Sequence, residues 1–184
     1  MYHLDTIIVY PIFLYIYNYN KNYGRLLFYT IISFFSINEV ITKEMYFFQY
    51  NDLNEYNYIG EKCQIILLLY FITDIFYIDS ITLIIHHILV LIGLCWCIYF
   101  SIGYYITIYL CLNEISSIFL LFKEENILPR LNNLLFNYTF FIFRIMLIPE
   151  IMIMYYYNNT VFILLSLDYG IHIYWIMSFL LTNN

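Results

Sequence analysis

The chain has 184 residues, of which 64% are hydrophobic and 11% charged, and its formal net charge at pH 7 is -6. These values, with a mean hydropathy of +0.76, exclude an ordinary soluble domain and predict an all-α integral membrane protein with several spans. Acidic residues outnumber basic ones by 13 to 7, so the chain lacks the basic surface expected of a nucleic-acid-binding protein.

Polar residues divide the chain into apolar segments. The first, over residues 4–17, belongs to an N-terminal region that ends at residue 24, and its short length leaves an interfacial segment and a thin span both open. Longer spans are predicted over residues 26–42, 63–79, 81–100, 104–122, 131–157 and 161–181, with a polar connection at 43–62. We therefore expect a bundle of six to seven transmembrane helices with a polar interior, and a main domain over residues 25–182.

Two adjacent histidines, His86 and His87, lie near the start of the predicted span at 81–100, which holds no charged residue. Imidazole is poorly placed in hydrocarbon, so such a pair indicates a functional site that faces a polar interior. Other polar residues that fall inside predicted spans are Asp74, Glu114, Arg144, Asp168 and His172. One charge near the bilayer centre costs roughly 2.5 to 3.5 kcal/mol, so we expect these side chains to converge on one another.

Each of these residues also has a purely structural interpretation. Arg144 could form only a neutralising pair with Glu114 or Glu150, and His172 could be a packed histidine with no further role. For the adjacent histidines a functional role is favoured. Neighbouring residues of a helix point about 100° apart, so one imidazole can act while the other orients it.

Metal chemistry is the alternative use for histidines in such a chain. Membrane di-iron enzymes need many clustered histidines, and this chain has only four, which excludes that class. A single ion held by His86, His87, His172 and a carboxylate stays open, although the spacing does not suggest it. The sequence therefore predicts no metal and no bound cofactor.

The polar residues follow a distinctive order along the chain. In that order they are Tyr70-Phe71-Ile72-Thr73-Asp74, His86-His87, Glu114-Ile115-Ser116-Ser117, Phe143-Arg144 with Pro149, and Tyr174-Trp175. This order resembles the TLC-domain family of multi-spanning endoplasmic-reticulum membrane proteins, which includes the ceramide synthases. The resemblance implies a role in sphingolipid or phospholipid metabolism, lipid sensing or membrane lipid composition, with membrane lipid as the partner.

The resemblance also implies roles for individual residues. In ceramide synthases a histidine pair serves in transferring a fatty acyl group from acyl-CoA to the amine of a sphingoid base. Here that pair is His86 and His87, with Asp74 and Glu114 orienting or polarising them. The residues implied to contact lipid or substrate are Arg144, Ser116, Ser117, Asp168, His172 and Trp175. Acyl-CoA would be a co-substrate, and no cofactor is implied.

The chain departs from the synthase pattern in the span after the histidine pair. Asn113-Glu114 and Ser116-Ser117 stand where ceramide synthases have His-Asp and Ser-Asp, which favours a lipid-binding or regulatory member of the family. An acyl-CoA-dependent N-acyltransferase is the first alternative. A transporter or channel is the second, although the sequence has no internal repeat and no pair of broken helices. The sequence leaves an oligomer open.

Overall fold

The computed structural model describes residues 4–42, 56–154 and 158–182, and every regular element within these ranges is helical. The α-helices in chain order are α1 (Leu4–Tyr19), α2 (Lys21–Thr42), α3 (Tyr58–Asp74), α4 (Ile81–Phe100), α5 (Tyr104–Leu112), α6 (Glu114–Glu124), α7 (Pro129–Phe140), α8 (Leu147–Met154) and α9 (Asn159–Thr182). A 3₁₀ turn at Ile75–Tyr77 follows α3, and a π-helical segment at Phe141–Met146 joins α7 to α8. The all-α fold expected from composition is confirmed.

Five helical stretches among the described residues are long and apolar enough to cross a membrane: Lys21–Thr42, Ile81–Phe100, Tyr104–Glu124, Pro129–Ile153 and Asn159–Ser178. Helices α1 and α3 have 16 and 17 residues. At 1.5 Å per residue they reach only about 24 and about 26 Å, which is less than the hydrocarbon thickness of about 30 Å. The count of six to seven spans is therefore not confirmed, and five candidate spans are compatible with a membrane protein.

Helix α3 lies earlier in the chain than the span predicted at 63–79. The Asn57 side chain accepts the Gly60 N–H at 2.8 Å and thereby caps the first turn. Such a cap satisfies a backbone donor that has no partner inside the helix, which accounts for the early start. At its other end, α3 finishes at Asp74, four residues before Ile78 of the predicted span.

Helix α2 also begins earlier than predicted, at Lys21. The expected boundary between an N-terminal region and a main domain, between residues 24 and 25, falls inside this helix. Helix α1 packs on both α2 and α3, so it belongs to the same bundle. Of the polar connection predicted at 43–62, residues 43–55 lie outside the described residues.

Buried apolar side chains form two cores. The first lies mainly between α1, α2 and α3 and also includes Leu94 of α4 and Cys111 of α5. In it the rings of Phe28 and Tyr70 are stacked with centroids 3.7 Å apart and planes 7° apart. The second joins α5, α8 and α9. Leu67 of the first core and Leu165 of the second line the same cavity as His86, so the buried histidines sit where the two cores meet.

Gly60 marks the closest approach of α3 to the start of α5. A Cβ atom at this position would lie 2.6 Å from the carbonyl oxygen of Tyr104, so the two backbones must separate to accept any side chain. We expect Gly60→Ala to lower the free energy of unfolding by about 1 to 3 kcal/mol, the usual cost of overpacking. Thermal unfolding of the purified protein measures this change.

Gly170→Ala is the matched control, because no atom of the described residues, apart from its own stretch of helix backbone, lies within 4 Å of a Cβ built at Gly170. Alanine favours a helix over glycine by up to about 1 kcal/mol, so this variant should be at least as stable as the unaltered chain. Equal losses of stability in the two variants would contradict the close packing of α3 on α5.

Candidate functional site

Polar side chains from α3, α4, α6, the π-helical segment and α9 gather at one place, here called the polar centre. It contains all ten residues that the sequence singled out: Asp74, His86, His87, Glu114, Ser116, Ser117, Arg144, Asp168, His172 and Trp175. Nine of them are buried, and Trp175 is partly buried. The rings of His86 and His87 lie 5.5 Å apart and connect its two halves.

Asp74 organises one half of the polar centre. Its Oδ1 accepts hydrogen bonds from the Tyr17 hydroxyl and from Arg25, with Nε at 2.9 Å and Nη2 at 2.8 Å, and its Oδ2 accepts from His87 Nε2 at 2.9 Å. The donors come from α1, α2 and α4, and the Asp74 side chain is 2% exposed. Asp74 therefore holds three helices against the end of α3 and orients His87.

Asp168 on α9 organises the other half by orienting His86. His86 Nδ1 lies 2.5 Å from Asp168 Oδ1. Because an ionised carboxylate only accepts hydrogen bonds, His86 Nδ1 carries the proton and donates it. In the neutral ring His86 Nε2 then holds a lone pair, and no described residue hydrogen-bonds to it. An orienting carboxylate behind a histidine of this kind is the arrangement of a general base.

Arg144 lies in the π-helical segment, a local geometry that is often found at functional sites. Its Nε donates to Ser116 Oγ at 3.0 Å, its Nη2 to Ser117 Oγ at 2.8 Å, and its Nη1 to His172 Nε2 at 2.9 Å. Arginine cannot accept a hydrogen bond, so His172 Nε2 must hold a lone pair and the proton is on Nδ1. His172 is therefore a neutral histidine that helps to hold Arg144.

Glu114 is not tightly paired with this arginine. Arg144 Nη2 lies 3.9 Å from Glu114 Oε2, and Arg144 directs its shorter hydrogen bonds to neutral groups. Glu150, the other partner considered from the sequence, is on α8 and does not bond Arg144 in the described part of the chain. Glu114 thus presents a buried carboxylate for which the described residues supply no hydrogen-bond donor.

The charged groups of the polar centre do not cancel. The carboxylates are Asp74, Glu114 and Asp168, and the guanidinium groups are Arg25 and Arg144. With neutral histidines, three carboxylates against two guanidinium groups leave one negative charge in excess. An uncompensated charge in a buried place is costly, so a proton on His86 or a cationic group of a bound molecule would restore the balance.

Three buried atoms of this region have no hydrogen-bond partner among the described residues: His87 Nδ1, Asn113 Oδ1 and His172 Nδ1. His172 Nδ1 faces Asp168 Oδ2 at 3.7 Å, which is too long for a hydrogen bond. The other two atoms are acceptors, since His87 donates through Nε2 to Asp74 and Asn113 Oδ1 is an amide oxygen. Buried polar atoms are normally paired, so a molecule that donates hydrogen bonds fits this region.

Aromatic rings hold the imidazoles in place. Phe71 lies edge-on to His87, with centroids 4.6 Å apart and planes at 89°. Trp175 packs against His86 at 5.5 Å and His172 at 5.3 Å, and its Nε1 lies 3.4 Å from Thr82 Oγ1. These contacts restrict the rotation of the rings, so each ring nitrogen stays directed toward its carboxylate or toward Arg144.

Two partly open cavities meet at the polar centre, and both are lined by Phe71, His86, Glu114 and Arg144. One cavity, of about 90 Å³, is otherwise mostly apolar and extends along α4 to Gly93 and beyond. The other, of about 270 Å³, is the more polar of the two, and its walls include Arg25, Asp74, His87 and the exposed Glu124. His86 is therefore accessible from an apolar and from a polar side.

His86, Asp168 and His172 are close enough to offer one ligand atom each to a metal ion, with these atoms within 4.8 Å of one another. This set differs from the one considered from the sequence, because His87 faces Asp74 instead. A metal ligand needs a lone pair, and His172 Nδ1 carries a proton while Arg144 occupies its Nε2. The arrangement fits hydrogen bonding better than metal binding.

Tyr17 and Arg25 are the members of the site that the sequence analysis missed. The predicted span began at residue 26, just after Arg25, and so assigned that arginine to a loop. In the structure α2 begins at Lys21, which brings Arg25 onto the helix beside Asp74. No sequence signal separates Tyr17 from the other tyrosines in a chain that contains 23 of them.

Comparisons with known proteins assign no family: no protein-family model, no curated protein and no solved structure matches the chain. The function of the chain is therefore inferred from the geometry of the polar centre.

We expect Asp74→Asn to lower the free energy of unfolding by about 3 kcal/mol or more, because it leaves Arg25 without its counter-charge. Chemical unfolding followed by circular dichroism measures the loss. Asp79→Asn, an exposed aspartate in the connection that follows, is the matched control and should be within about 0.5 kcal/mol of the unaltered protein. Replacing Asp74 and Arg25 together by leucine should recover part of the stability. Similar behaviour of Asp74→Asn and Asp79→Asn would contradict the role given to Asp74.

Proposed function

We propose that the chain is a multi-pass membrane protein of the TLC type that binds one amphiphilic lipid at the polar centre and acts in lipid metabolism, lipid sensing or membrane lipid composition. The observation that carries this proposal is the meeting of an apolar and a polar cavity at His86, Glu114 and Arg144. A molecule with an apolar tail and a polar head can use both cavities at once.

The surroundings of the site support a ligand that arrives from the bilayer. Five stretches of the described chain are long and apolar enough to span a membrane, and the apolar cavity lies between helices from this set, α4, α5 and α9. The cavity is partly open, so a longer tail can extend beyond it. A location in the endoplasmic reticulum belongs to the proposal through the resemblance in residue order alone.

The polar side favours a head group that donates hydrogen bonds. Glu114 offers a carboxylate without a donor, and His87 Nδ1 and Asn113 Oδ1 are buried acceptors without partners among the described residues. The excess negative charge of the polar centre adds a preference for a cationic donor over an anionic one. A long-chain amine satisfies these conditions better than a free fatty acid does.

Binding can be tested with a photoactivatable long-chain amine and the purified full-length protein in lipid nanodiscs. We expect Gly93→Leu to reduce specific labelling. Among the described residues a Cβ at Gly93 meets only Leu164, at 3.8 Å, so the larger side chain would enter the apolar cavity. Excluding about two methylenes, at roughly 0.8 kcal/mol each, weakens binding about tenfold.

The control for this experiment is Ile92→Phe. Ile92 precedes Gly93 and is 50% exposed, so this variant should be labelled as strongly as the unaltered protein. Thermal unfolding of each variant checks that it is folded. The binding site would be rejected if Gly93→Leu is labelled as strongly as the unaltered protein. It would also be rejected if an excess of unlabelled amine does not reduce labelling.

Acyl transfer is the second candidate function, and the paired Asp168 and His86 favour it. His86 lines both cavities and no described residue hydrogen-bonds to its Nε2. An enzyme of the proposed class joins an acyl chain to a long-chain amine. His87 is less suited to the chemical step because its free Nδ1 is enclosed. In this proposal His86 is the catalytic residue and His87 is a positioning residue.

The proposed reaction uses acyl-CoA as co-substrate. The bound ammonium group first releases one proton to water on the polar side of the site. The neutral amine then attacks the thioester carbonyl, a carbon–nitrogen bond forms, and the carbon–sulfur bond breaks. His86 Nε2 takes the proton that the nitrogen loses and returns it to the departing thiolate, so an amide and a thiol result. Asp168 stabilises the imidazolium that exists between these steps, and Glu114 is placed to hold the incoming amine.

Two conservative variants separate the histidines in an assay of acyl-CoA-dependent N-acylation of a sphingoid base by membranes. His86→Asn keeps a donor near the position of Nδ1 for Asp168 but removes Nε2, and should reduce the rate by about 100- to 10,000-fold. His87→Gln keeps a donor for Asp74 and should retain far more activity. Asp79→Asn serves as the control for expression.

Product formation that survives His86→Asn would reject His86 as the base. If the folded, unaltered protein forms no product while the amine probe still labels it, acyl transfer is rejected and lipid binding stands.

A further inference from the structure

Two tyrosine hydroxyls meet in the wall of the more polar cavity, and neither has a role in the site described above. Tyr29 on α2 and Tyr70 on α3 both line this cavity, and their hydroxyl oxygens lie 2.8 Å apart. Tyr70 is 1% exposed and Tyr29 is partly buried. The two side chains thus form a hydrogen-bonded pair inside the bundle, here called the tyrosine pair.

The tyrosine pair holds one proton that the described residues do not use. Each phenol carries one proton, and one of the two protons is donated to the other hydroxyl. The hydroxyl that accepts this bond keeps its own proton, for which no described residue serves as acceptor. Enclosed donors are normally paired, so the pair offers a hydrogen bond to the contents of the cavity.

Aromatic packing fixes the position of the tyrosine pair. The Tyr70 ring is stacked on Phe28 with centroids 3.7 Å apart, and the Tyr29 ring lies edge-on to Tyr70 with centroids 5.7 Å apart. Both hydroxyls are therefore held in place before anything binds. A donor that is already ordered loses little conformational entropy when it meets its acceptor.

Glu114 has the opposite requirement in the same cavity. The charges of Glu114, Arg25 and Arg144 act on the Tyr29 hydroxyl, which places the pair beside the polar centre. Among the described residues Glu114 has no hydrogen-bond donor, the pair has no acceptor for its second proton, and no hydrogen bond joins the two. One head group that donates to Glu114 and accepts from the pair would satisfy both.

We propose that the tyrosine pair is an oxygen subsite of the polar centre, which donates its second proton to a neutral oxygen of the bound amphiphile, close to the nitrogen that Glu114 holds. This inference rests on the lipid-binding function proposed above. The oxygen is neutral because the polar centre already has a negative charge in excess, and a further buried anion would be costly. Tyr29 and Tyr70 thus select among long-chain amines.

The test compares octadecylamine with an ether amine of the same length, in which an oxygen replaces the third methylene from the nitrogen. The two amines have the same shape and charge, and the ether oxygen accepts a hydrogen bond but cannot donate one. Each amine displaces the photoactivatable amine from the full-length protein in nanodiscs. The concentrations that displace half of the probe give the ratio of the two affinities.

The decisive variant replaces both tyrosines, Tyr29→Phe with Tyr70→Phe, because a single replacement leaves one hydroxyl with its proton. The rings and their packing remain, and removing both partners of a hydrogen bond costs little stability. We expect the affinity ratio of ether amine to octadecylamine to be about fivefold higher in the unaltered protein than in the double variant. This factor corresponds to roughly 1 kcal/mol for one hydrogen bond.

Tyr77→Phe is the matched control. The Tyr77 hydroxyl donates to Asn18, and Tyr77 lines neither cavity of the polar centre, so the affinity ratio should equal that of the unaltered protein. Thermal unfolding checks that each variant is folded. If the double variant does not fold, an ether amine with a photoreactive group on the carbon after the oxygen replaces it, and its crosslinks should map to peptides that contain Tyr29 or Tyr70.

The same affinity ratio in the unaltered protein and the double variant would overturn the oxygen subsite and leave the tyrosine proton to water, while lipid binding stands. Crosslinks confined to other peptides would overturn it in the same way. If neither amine displaces the probe, the lipid-binding function is rejected together with the subsite.

Discussion

The burial of Asp74 constrains the whole bundle. A carboxylate at 2% exposure is tolerated only if several donors satisfy it, and here they arrive from α1, α2 and α4. Those three helices must therefore come together at the end of α3, which fixes the position of the histidine pair on α4. Removing one donor leaves a buried charge without compensation, so these contacts act as a unit.

The two histidines differ because their carboxylates lie on different helices. Asp74 holds His87 by Nε2 and leaves its Nδ1 enclosed. Asp168 holds His86 by Nδ1 and leaves its Nε2 without a hydrogen-bond partner among the described residues, and His86 lines both cavities. Identical side chains at adjacent positions thus have opposite tautomers and different access. This difference is the physical basis for assigning one ring to chemistry and the other to positioning.

Polar contacts between short helices build the polar centre. Helix α1 contacts the C-terminal end of α3 through hydroxyl groups, and this contact completes the bonding of Asp74. Arg144 also connects several helices through polar contacts. Its guanidinium group joins α6 and α9 to the π-helical segment through Ser116, Ser117 and His172.

The sequence by itself indicated the helical class, the bounds of α4 and the seven ionisable residues of the polar centre, because charges in apolar segments must find partners. The other three, Ser116, Ser117 and Trp175, were expected only from the resemblance in residue order. The tertiary structure alone decided which partners meet. It paired Asp168 with His86 and Arg144 with two serines and His172, and it brought Arg25 and Tyr17 to Asp74. These pairings depend on helix rotation and on where α2 and α3 begin, and a capping contact such as that of Asn57 shifts those starts by several residues. Spacing along a chain does not encode such contacts between helices, so the sequence predicted the members of the site but not their bonding.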